Sequence, residues 1–244
     1  MKRKLILTND DGIDAPGLAA LYSACRDLGE CVVVAPRTHQ SGVGHAYTTH
    51  GPLRFSCVSD GWFAVDGTPV DCTRVAVTHL AADADIVLAG INEGGNLGAD
   101  FYTSGTVAAA REGIFLGLPA IALSQYIRPD TPIDWEVTAA WARPVVEMLL
   151  RRPTTLESYF SVNLPHVPER RDLPPVTFCG LDPRQVDVRF DVEDHEEEGR
   201  YTAIYRGDYH GRPRLPRRDI EVCFGGEIAV TKIPVDITGH HEEA

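Results

Sequence analysis

The chain of 244 residues lacks the short motifs that would assign it to the common nucleotide-binding and zinc-binding classes. No Gly-Lys-Ser or Gly-Lys-Thr sequence occurs, which excludes a Walker A phosphate loop. The absence of Gly-x-Gly-x-x-Gly argues against an NAD-dependent oxidoreductase. None of the 6 cysteines belongs to a Cys-x-x-Cys pair, so we expect no zinc site and interpret them as reduced, mostly buried thiols.

Long apolar runs are also missing. No stretch approaches the ~18 apolar residues that a membrane span requires. The apolar run that follows Lys2, Arg3 and Lys4 is too short for a secretory signal peptide. We therefore expect a cytoplasmic protein without a membrane partner.

Positive charge is scarce, because 23 Lys and Arg residues stand against 35 Asp and Glu residues and leave a formal net charge of −12. This balance argues against binding to duplex nucleic acid, which needs a basic surface. The net charge does not exclude small anionic substrates, since one bound divalent cation reverses the local electric field.

Apolar runs and helical periodicities alternate along the first two thirds of the chain, which predicts an α/β fold. The strand–helix–strand order predicts parallel strands joined by right-handed crossovers. The predicted strands are Leu5–Leu7, Cys31–Ala35, Asp85–Ala89, Leu118–Leu123 and Tyr159–Leu164, and the predicted helices cover 16–28, 69–80, 107–115 and 135–150.

The composition changes after Pro165, where residues 166–220 are interpreted as a protruding β arm. The segments 176–179, 186–190 and 200–205 alternate like antiparallel strands, and apolar alternation at 219–224 and 227–233 ends the fold. We expect a core of residues 1–165 and a β-rich extension of residues 166–244, whose final strands return to the core. Such an arm needs a partner to bury its apolar face, which predicts an oligomer.

Two adjacent carboxylates, Asp10 and Asp11, follow directly after the first predicted strand. Carboxylates this close repel each other and resist burial, and a divalent cation relieves both costs. The carboxyl ends of strands are where an open α/β sheet binds ligands. The sequence therefore predicts a metal site here, with the alternative that the Asn-Asp-Asp-Gly stretch only forms a turn.

A second informative stretch runs from Gly90 through a glycine-rich loop to Ser104, Gly105 and Thr106, which open a helix. Free N–H groups and hydroxyls at a helix N-terminus favour phosphate binding. The alternative, that Ser104 or Thr106 only caps the helix, is compatible with that role. In the same loop, Asn92 and Asn96 supply oxygen and amide groups.

Ser41 lies in a polar loop after the second predicted strand. Its position at the carboxyl end of a strand favours a role as a ligand, although serine is also an ordinary turn residue. His39 and His45 flank it, and we interpret both as solvated loop histidines.

Five sequence blocks in order resemble the SurE family, the survival-protein phosphatases that act as nucleotidases. These blocks are LTNDDGIDAPGL, VVAPRTHQSGVG, GTPVDC, DIVLAGINEGGNLGADFYTSGTVAAAREG and IPVDITGH. The resemblance implies a three-layer, Rossmann-like, mostly parallel α/β domain with a C-terminal β-hairpin extension used to form a homodimer or homotetramer. It also implies a divalent-metal-dependent phosphomonoesterase, a 5′/3′-nucleotidase acting on nucleoside monophosphates.

The resemblance also assigns roles to particular residues. The family's metal ligands, for one ion per subunit, fall on Asp10, Asp11, Ser41 and Asn92, and its phosphate contacts fall on Asn96, Ser104, Gly105 and Thr106. Among the ligands, Ser41 and Asn92 rest mostly on the resemblance. One departure is Thr103, which stands where the family commonly has tyrosine.

For catalysis, Asp10 is the candidate for orienting the attacking water or acting as general base, and a covalent nucleophile is the competing role. A nucleotide-binding regulatory module without turnover is the alternative function, since it would use the same anion loop. His240, near the C-terminus, is interpreted as a solvated tail residue, with an approach to a neighbouring subunit as the alternative.

Overall fold

The structure is a computed structural model that describes residues 2–153, 156–194 and 199–236. The strands are β1 (Arg3–Thr8), β2 (Gly29–Pro36), β3 (Phe55–Ser59), β4 (Trp62–Val65), β5 (Ile86–Glu93), β6 (Ala120–Gln125), β7 (Ser158–Leu164), β8 (Val176–Phe178), β9 (Phe190–Asp194), β10 (Tyr201–Tyr205) and β11 (Ile228–Pro234). The helices are α1 (Pro16–Cys25), α2 (Pro69–Val75), α3 (Gly105–Phe115), α4 (Trp135–Leu150) and α5 (Asp219–Phe224), with a π-helical turn at Ala76–Leu80 and a 3-10 turn at Gly98–Tyr102. In the described part of the chain, no helix combines the length and apolar character needed to traverse a bilayer.

The central sheet is mixed and mostly parallel, as the sequence predicts. Its order is β3-β4-β2-β1-β5-β6-β7-β11-β8. Within it, the six consecutive strands β4-β2-β1-β5-β6-β7 are parallel to one another. Helices α1 and α4 pack on one face, and α2 and α3 pack on the other, which gives the expected three layers. Because β1, β2, β5 and β6 point the same way, the loops that follow them meet at one edge of the sheet.

Strand β1 shows why apolar runs identify the centre of this sheet. Leu5, Ile6 and Leu7 are all fully buried. Leu5 and Leu7 belong to the apolar layer under α1 and α4, whereas Ile6 belongs to the opposite layer, because successive strand side chains alternate between faces. A strand covered on both faces therefore reads as a continuous apolar run.

Two predictions for the last third of the chain are wrong. Residues 219–224, predicted as a strand, form helix α5, which buries Ile220, Val222 and Cys223. The spacing of Ile220 and Val222 imitates a strand, and a helix of 6 residues is too short to reveal its own period. Residues 186–189 form no strand, and β8 pairs parallel with β11 at the sheet edge instead of joining an antiparallel arm.

Strands β9 and β10 form a separate antiparallel hairpin, so a C-terminal hairpin extension is present as expected. Its exposed side chains include Phe190, Val192, Tyr201 and Tyr205. The division at residue 165 stays a prediction, and in the structure β8 and β11 join the central sheet. His240 lies outside the described residues.

Candidate active site

The turn after β1 leaves two carboxylates available at the sheet edge. Asn9 holds this turn, because its amide nitrogen donates to the Gly12 carbonyl oxygen at 2.9 Å and its Oδ1 accepts from the Gly12 N–H at 3.2 Å. The carboxylates of Asp10 and Asp11 are bonded instead to distant parts of the chain. The simple turn role therefore describes Asn9 and Gly12, and the two aspartates do more than form a turn.

Asp10 lies against the N-terminus of α3. The residue is 3% exposed, and its Oδ1 accepts a hydrogen bond from the Thr106 hydroxyl. Its side chain packs directly on Gly105, where a Cβ atom would lie 2.9 Å from Asp10 Oδ2. Burial raises the pKa of Asp10, and hydrogen bonds from the hydroxyl and the backbone N–H of Thr106 oppose that rise. The structure thus brings Asp10, Gly105 and Thr106 together.

Asp11 connects the same loop to the end of β5. Its Oδ2 accepts a hydrogen bond from the Glu93 N–H at 2.9 Å, and its Oδ1 lies 3.5 Å from Nδ1 of the exposed His39. Burial raises the pKa of Asp11; the Glu93 N–H opposes this rise, and the nearby charge of Asp10 adds to it. A buried carboxylate next to one that is largely withdrawn from solvent favours a bound cation.

Asn92 stands beside Glu93, after an irregularity in β5. The pairing of β5 with β6 shifts register between Ala89 and Asn92. Gly90 within this shift has a φ of +139°, a conformation that suits glycine and strains other residues. The Asn92 amide nitrogen donates to the Gly94 carbonyl oxygen at 2.7 Å. This bond leaves the amide oxygen as the atom that a hard cation would use.

The loop that carries Ser41 is attached to the site through its neighbours. The Gln40 N–H donates to the Asp10 carbonyl oxygen at 2.7 Å, and the Gly44 N–H donates to the Thr103 carbonyl oxygen at 3.1 Å. Ser41 itself is exposed, and its hydroxyl makes no hydrogen bond within the part of the chain that the structure describes. The structure therefore brings the loop to Asp10, and among the described residues no hydrogen bond joins the Ser41 hydroxyl to Asp10.

The two histidines of this loop differ from each other. His39 is exposed, as expected, although it lies beside Asp11. The solvated role expected for His45 is wrong, because its Nε2 donates to Glu112 Oε2 at 2.9 Å and its Nδ1 accepts from Arg111 Nε at 3.0 Å. Both partners lie on α3, more than 60 positions later in the chain, so no local pattern could have revealed them.

Ser104 caps helix α3, as the capping interpretation expects. Its hydroxyl oxygen accepts a hydrogen bond from the Val107 N–H at 3.1 Å. The first turn of this helix carries the partial positive charge of a helix N-terminus, and Asp10 lies beside it. Capping by Ser104 and anion binding by the first turn are therefore compatible.

Asn96 is held by two residues that the sequence reasoning missed. Its N–H donates to Asn163 Oδ1 at 2.8 Å, and its side-chain amide donates to Ser124 Oγ at 2.7 Å. Both partners are about 1% exposed and stand near the ends of strands β7 and β6, after apolar residues. The sequence signal that could have identified them is a polar residue near the end of an apolar strand. Within the described residues, no hydrogen bond joins the Asn96 side chain to the start of α3.

Comparison with known proteins then decides the family. A family model described as "Survival protein SurE" matches residues 5–186, a range that contains every site residue predicted above.

The chain belongs to the SurE family.

Relatives extend this match over nearly the whole chain. A protein of Nostoc sp. strain PCC 7120 is 44% identical over 233 residues, which cover 95% of this chain and 99% of that protein. The 5′-nucleotidase SurE of Rhodospirillum rubrum is 41% identical over 246 residues, covering 97% and 92% of the two chains. The crystal structure of the SurE protein from Aquifex aeolicus superposes with a TM-score of 0.87 at 32% identity, covering 97% and 95%. The SurE likeness therefore includes the fold as well as the motifs around the site.

Proposed function

We propose that this chain hydrolyses nucleoside 5′- and 3′-monophosphates to a nucleoside and inorganic phosphate. Relatives named 5′-nucleotidase SurE support the proposal, since they are 36–41% identical over almost the whole chain. The observation that carries it is the contact between Asp10 and the start of α3. This contact places a buried carboxylate beside a helix N-terminus, the kind of backbone end that binds phosphate.

The proposed cofactor is one divalent metal ion per subunit, held by Asp10, Asp11, Asn92 and Ser41. The residues fit such an ion, because the two buried carboxylates have raised pKa values and Asn92 keeps an oxygen free of hydrogen bonds to the described residues. Within that part of the chain no group of three or more His, Cys, Asp or Glu side chains is gathered, so the proposed site needs the amide oxygen of Asn92 and the hydroxyl of Ser41 beside its two carboxylates. Oxygen donors suit Mg²⁺, Mn²⁺ or Ca²⁺. When bound, such an ion supplies Lewis acidity towards a phosphoryl oxygen.

Asn96 and residues Ser104–Thr106 are the proposed contacts to the remaining phosphate oxygens. The N–H groups of the first turn of α3 would offset the negative charge that shifts during phosphoryl transfer. Asn96 is fixed for this role by Asn163 and Ser124, which take its backbone N–H and one hydrogen of its side-chain amide, so that the second amide hydrogen is the donor proposed for phosphate. A preorganised donor loses less orientational freedom on binding.

Asp10 is the proposed residue that orients the attacking water or removes its proton. The Thr106 hydroxyl occupies Oδ1 and weakens it as a nucleophile. Water attack is therefore favoured over a covalent aspartyl intermediate.

Two experiments test these points. Release of phosphate from AMP in the presence of Mn²⁺ separates the nucleotidase from a nucleotide-binding regulatory module, which would bind AMP and release nothing. Borohydride trapping during a single turnover separates the two routes, because an aspartyl phosphate at Asp10 would be reduced to homoserine, whereas direct attack by water leaves Asp10 unchanged.

The proposed assembly is a homodimer or homotetramer that uses hairpin β9–β10. The exposed Phe190, Val192, Tyr201 and Tyr205 support it, because a two-stranded hairpin rarely holds such side chains without a partner surface. Light scattering of the purified protein measures its molar mass in solution. A monomer at micromolar concentration would contradict this assembly.

A further inference from the structure

The glycine-rich loop, residues 94–102, runs from the end of β5 to the residues that begin α3. It contains Asn96, the proposed phosphate contact, and its only regular structure is the 3-10 turn at Gly98–Tyr102. A loop with three glycines does not fix its own conformation. The contacts that fix it from the C-terminal side come from the strap, residues 207–219, which follows hairpin β9–β10 directly.

The strap bonds to the backbone of this loop at three successive places. The Tyr209 hydroxyl donates to the Gly95 carbonyl oxygen at 3.2 Å. The Arg212 guanidinium donates to the Leu97 carbonyl oxygen at 3.2 Å. At the end of the strap, Asp219 Oδ2 accepts from the Gly98 N–H at 2.7 Å.

Arg212 is the centre of these contacts. The residue is 3% exposed, and besides Leu97 it pairs with Asp100 of the same loop. Its guanidinium carbon lies 5.0 Å from the centre of the Tyr209 ring. Gly98 has a φ of +56°, and a Cβ there would approach an Arg212 nitrogen to 3.1 Å. The side chain therefore lies directly against the backbone of the loop.

The strap is itself anchored to the body of the protein. Asp219 Oδ1 accepts from the Asp182 N–H at 2.6 Å, and Asp182 Oδ2 accepts from the Leu215 N–H at 2.6 Å. Both aspartates are fully buried. The strap can therefore act as a fixed support, against which the glycine-rich loop is held.

We propose that Arg212 is a positioning residue, which holds the glycine-rich loop so that Asn96 and the start of α3 present one continuous surface to the phosphate. The inference rests on the proposed function, in that the phosphate it concerns is that of the nucleotide. Arg212 acts through Leu97 and Asp100 and touches none of the proposed ligands. Hairpin β9–β10 leads into the strap, so the arm is connected in sequence to the element that sets phosphate affinity.

The test variant is Arg212→Met, which keeps the length and apolar stem of the side chain. The partner left behind, Asp100, has a side chain that is 32% exposed, so water can solvate the carboxylate once its partner is gone. Arg212→Lys keeps the charge but lacks the fork that reaches both Asp100 and Leu97. Arg206→Met is the matched control, because Arg206 belongs to an exposed ion pair with Asp191 in the adjoining hairpin.

The experiment measures the dissociation constant of inorganic phosphate by calorimetry, in buffer with Mg²⁺, for the wild-type protein and all three variants. Temperatures are set well below the melting point of each variant. We expect Arg212→Met to weaken phosphate binding by about tenfold and Arg212→Lys by less, with Arg206→Met unchanged, because displaced binding groups lose affinity steeply. KM for AMP should rise in step with the phosphate dissociation constant, while kcat changes by less than about threefold.

Equal phosphate affinity in Arg212→Met and the wild-type protein would overturn the inference, and so would a wild-type protein that binds no phosphate. A lower melting temperature with unchanged affinity would also overturn it, since that result belongs to a purely structural residue. If phosphate binding weakens as expected but the wild-type protein releases no phosphate from AMP, the inference stands and the nucleotidase proposal fails.

Discussion

Gly105→Ala tests the contact on which the site is built. A Cβ at this position would lie 2.9 Å from both Cβ and Oδ2 of Asp10, a distance that real Cβ atoms essentially never show, and 3.1 Å from Pro69 Cγ. Ordinary contact needs about 3.5 Å, so the Asp10 carboxylate has to move by about 0.5 Å. Asp10 is 3% exposed and cannot swing into water without leaving Thr106.

A shift of this size is enough to damage catalysis. Catalytic groups must be held within about 0.5 Å, and a displacement of about 1 Å can cost about a hundredfold in rate. We expect kcat/KM for AMP to fall about tenfold in Gly105→Ala, with a loss of about 1–3 kcal/mol in the free energy of unfolding from overpacking. Phosphate release and urea denaturation measure the two effects separately.

Gly113→Ala on the same helix is the matched control. A Cβ there would lie 2.9 Å from Val87 Cγ2, an equally close contact. It stands about 12 Å further along the helix axis, at 1.5 Å per residue, and therefore away from Asp10. We expect a similar loss of stability and unchanged turnover. If Gly105→Ala keeps wild-type turnover, or if both variants lose it equally, the contact with Asp10 has no catalytic importance.

Two further predictions concern single hydrogen bonds. Thr106→Val removes the hydroxyl that donates to Asp10 but keeps the shape of the side chain, so we expect kcat to fall about tenfold. Thr106→Ser keeps a hydroxyl and should stay near wild type. Equal steady-state rates for the wild-type protein and both variants would refute this prediction. His166 accepts from the Arg128 N–H at 2.9 Å and lies 3.2 Å from the Pro132 carbonyl oxygen, and burial lowers its pKa from the usual 6.5. Because the unfolded chain then binds the proton more readily, this contribution to stability is complete above pH 6.5 and is lost as the pH falls through the lowered pKa. Urea denaturation at pH 7.5 and 5.5 should therefore show a smaller pH effect in His166→Gln than in wild type, and an equal effect in both would contradict the assignment.

The sequence predicts most of the core sheet because strands that are buried there show as runs of apolar residues. Leu5–Leu7 in β1 and Ala120–Leu123 in β6 are covered on both faces, so these stretches are apolar without interruption. Helix α5 escapes prediction because Ile220 and Val222 mimic strand spacing over only six residues. In both cases the outcome depends on whether the element is long enough to show its period.

The chemistry of the site is visible in the sequence only where it is local. Asp10 follows an apolar strand, and Ser104 opens a helix, and both signals lie within a few residues. The bond from Thr106 to Asp10 joins positions 96 residues apart, and the bond from Asn96 to Asn163 joins positions 67 residues apart. Such contacts depend on the packing of α3 against the sheet and on the place of β7 within the sheet, which no periodicity encodes.

The proposed activity requires above all a metal-assisted phosphatase site at Asp10 and Asp11. The most direct measurement is phosphate release from AMP by the wild-type protein and by Asp10→Asn, each first freed of metal by a chelator and then supplied with Mn²⁺. We predict that only the wild-type protein regains turnover on addition of Mn²⁺, while Asp10→Asn stays folded by circular dichroism and inactive. Full turnover by Asp10→Asn, or by the metal-free wild-type protein, would contradict the account.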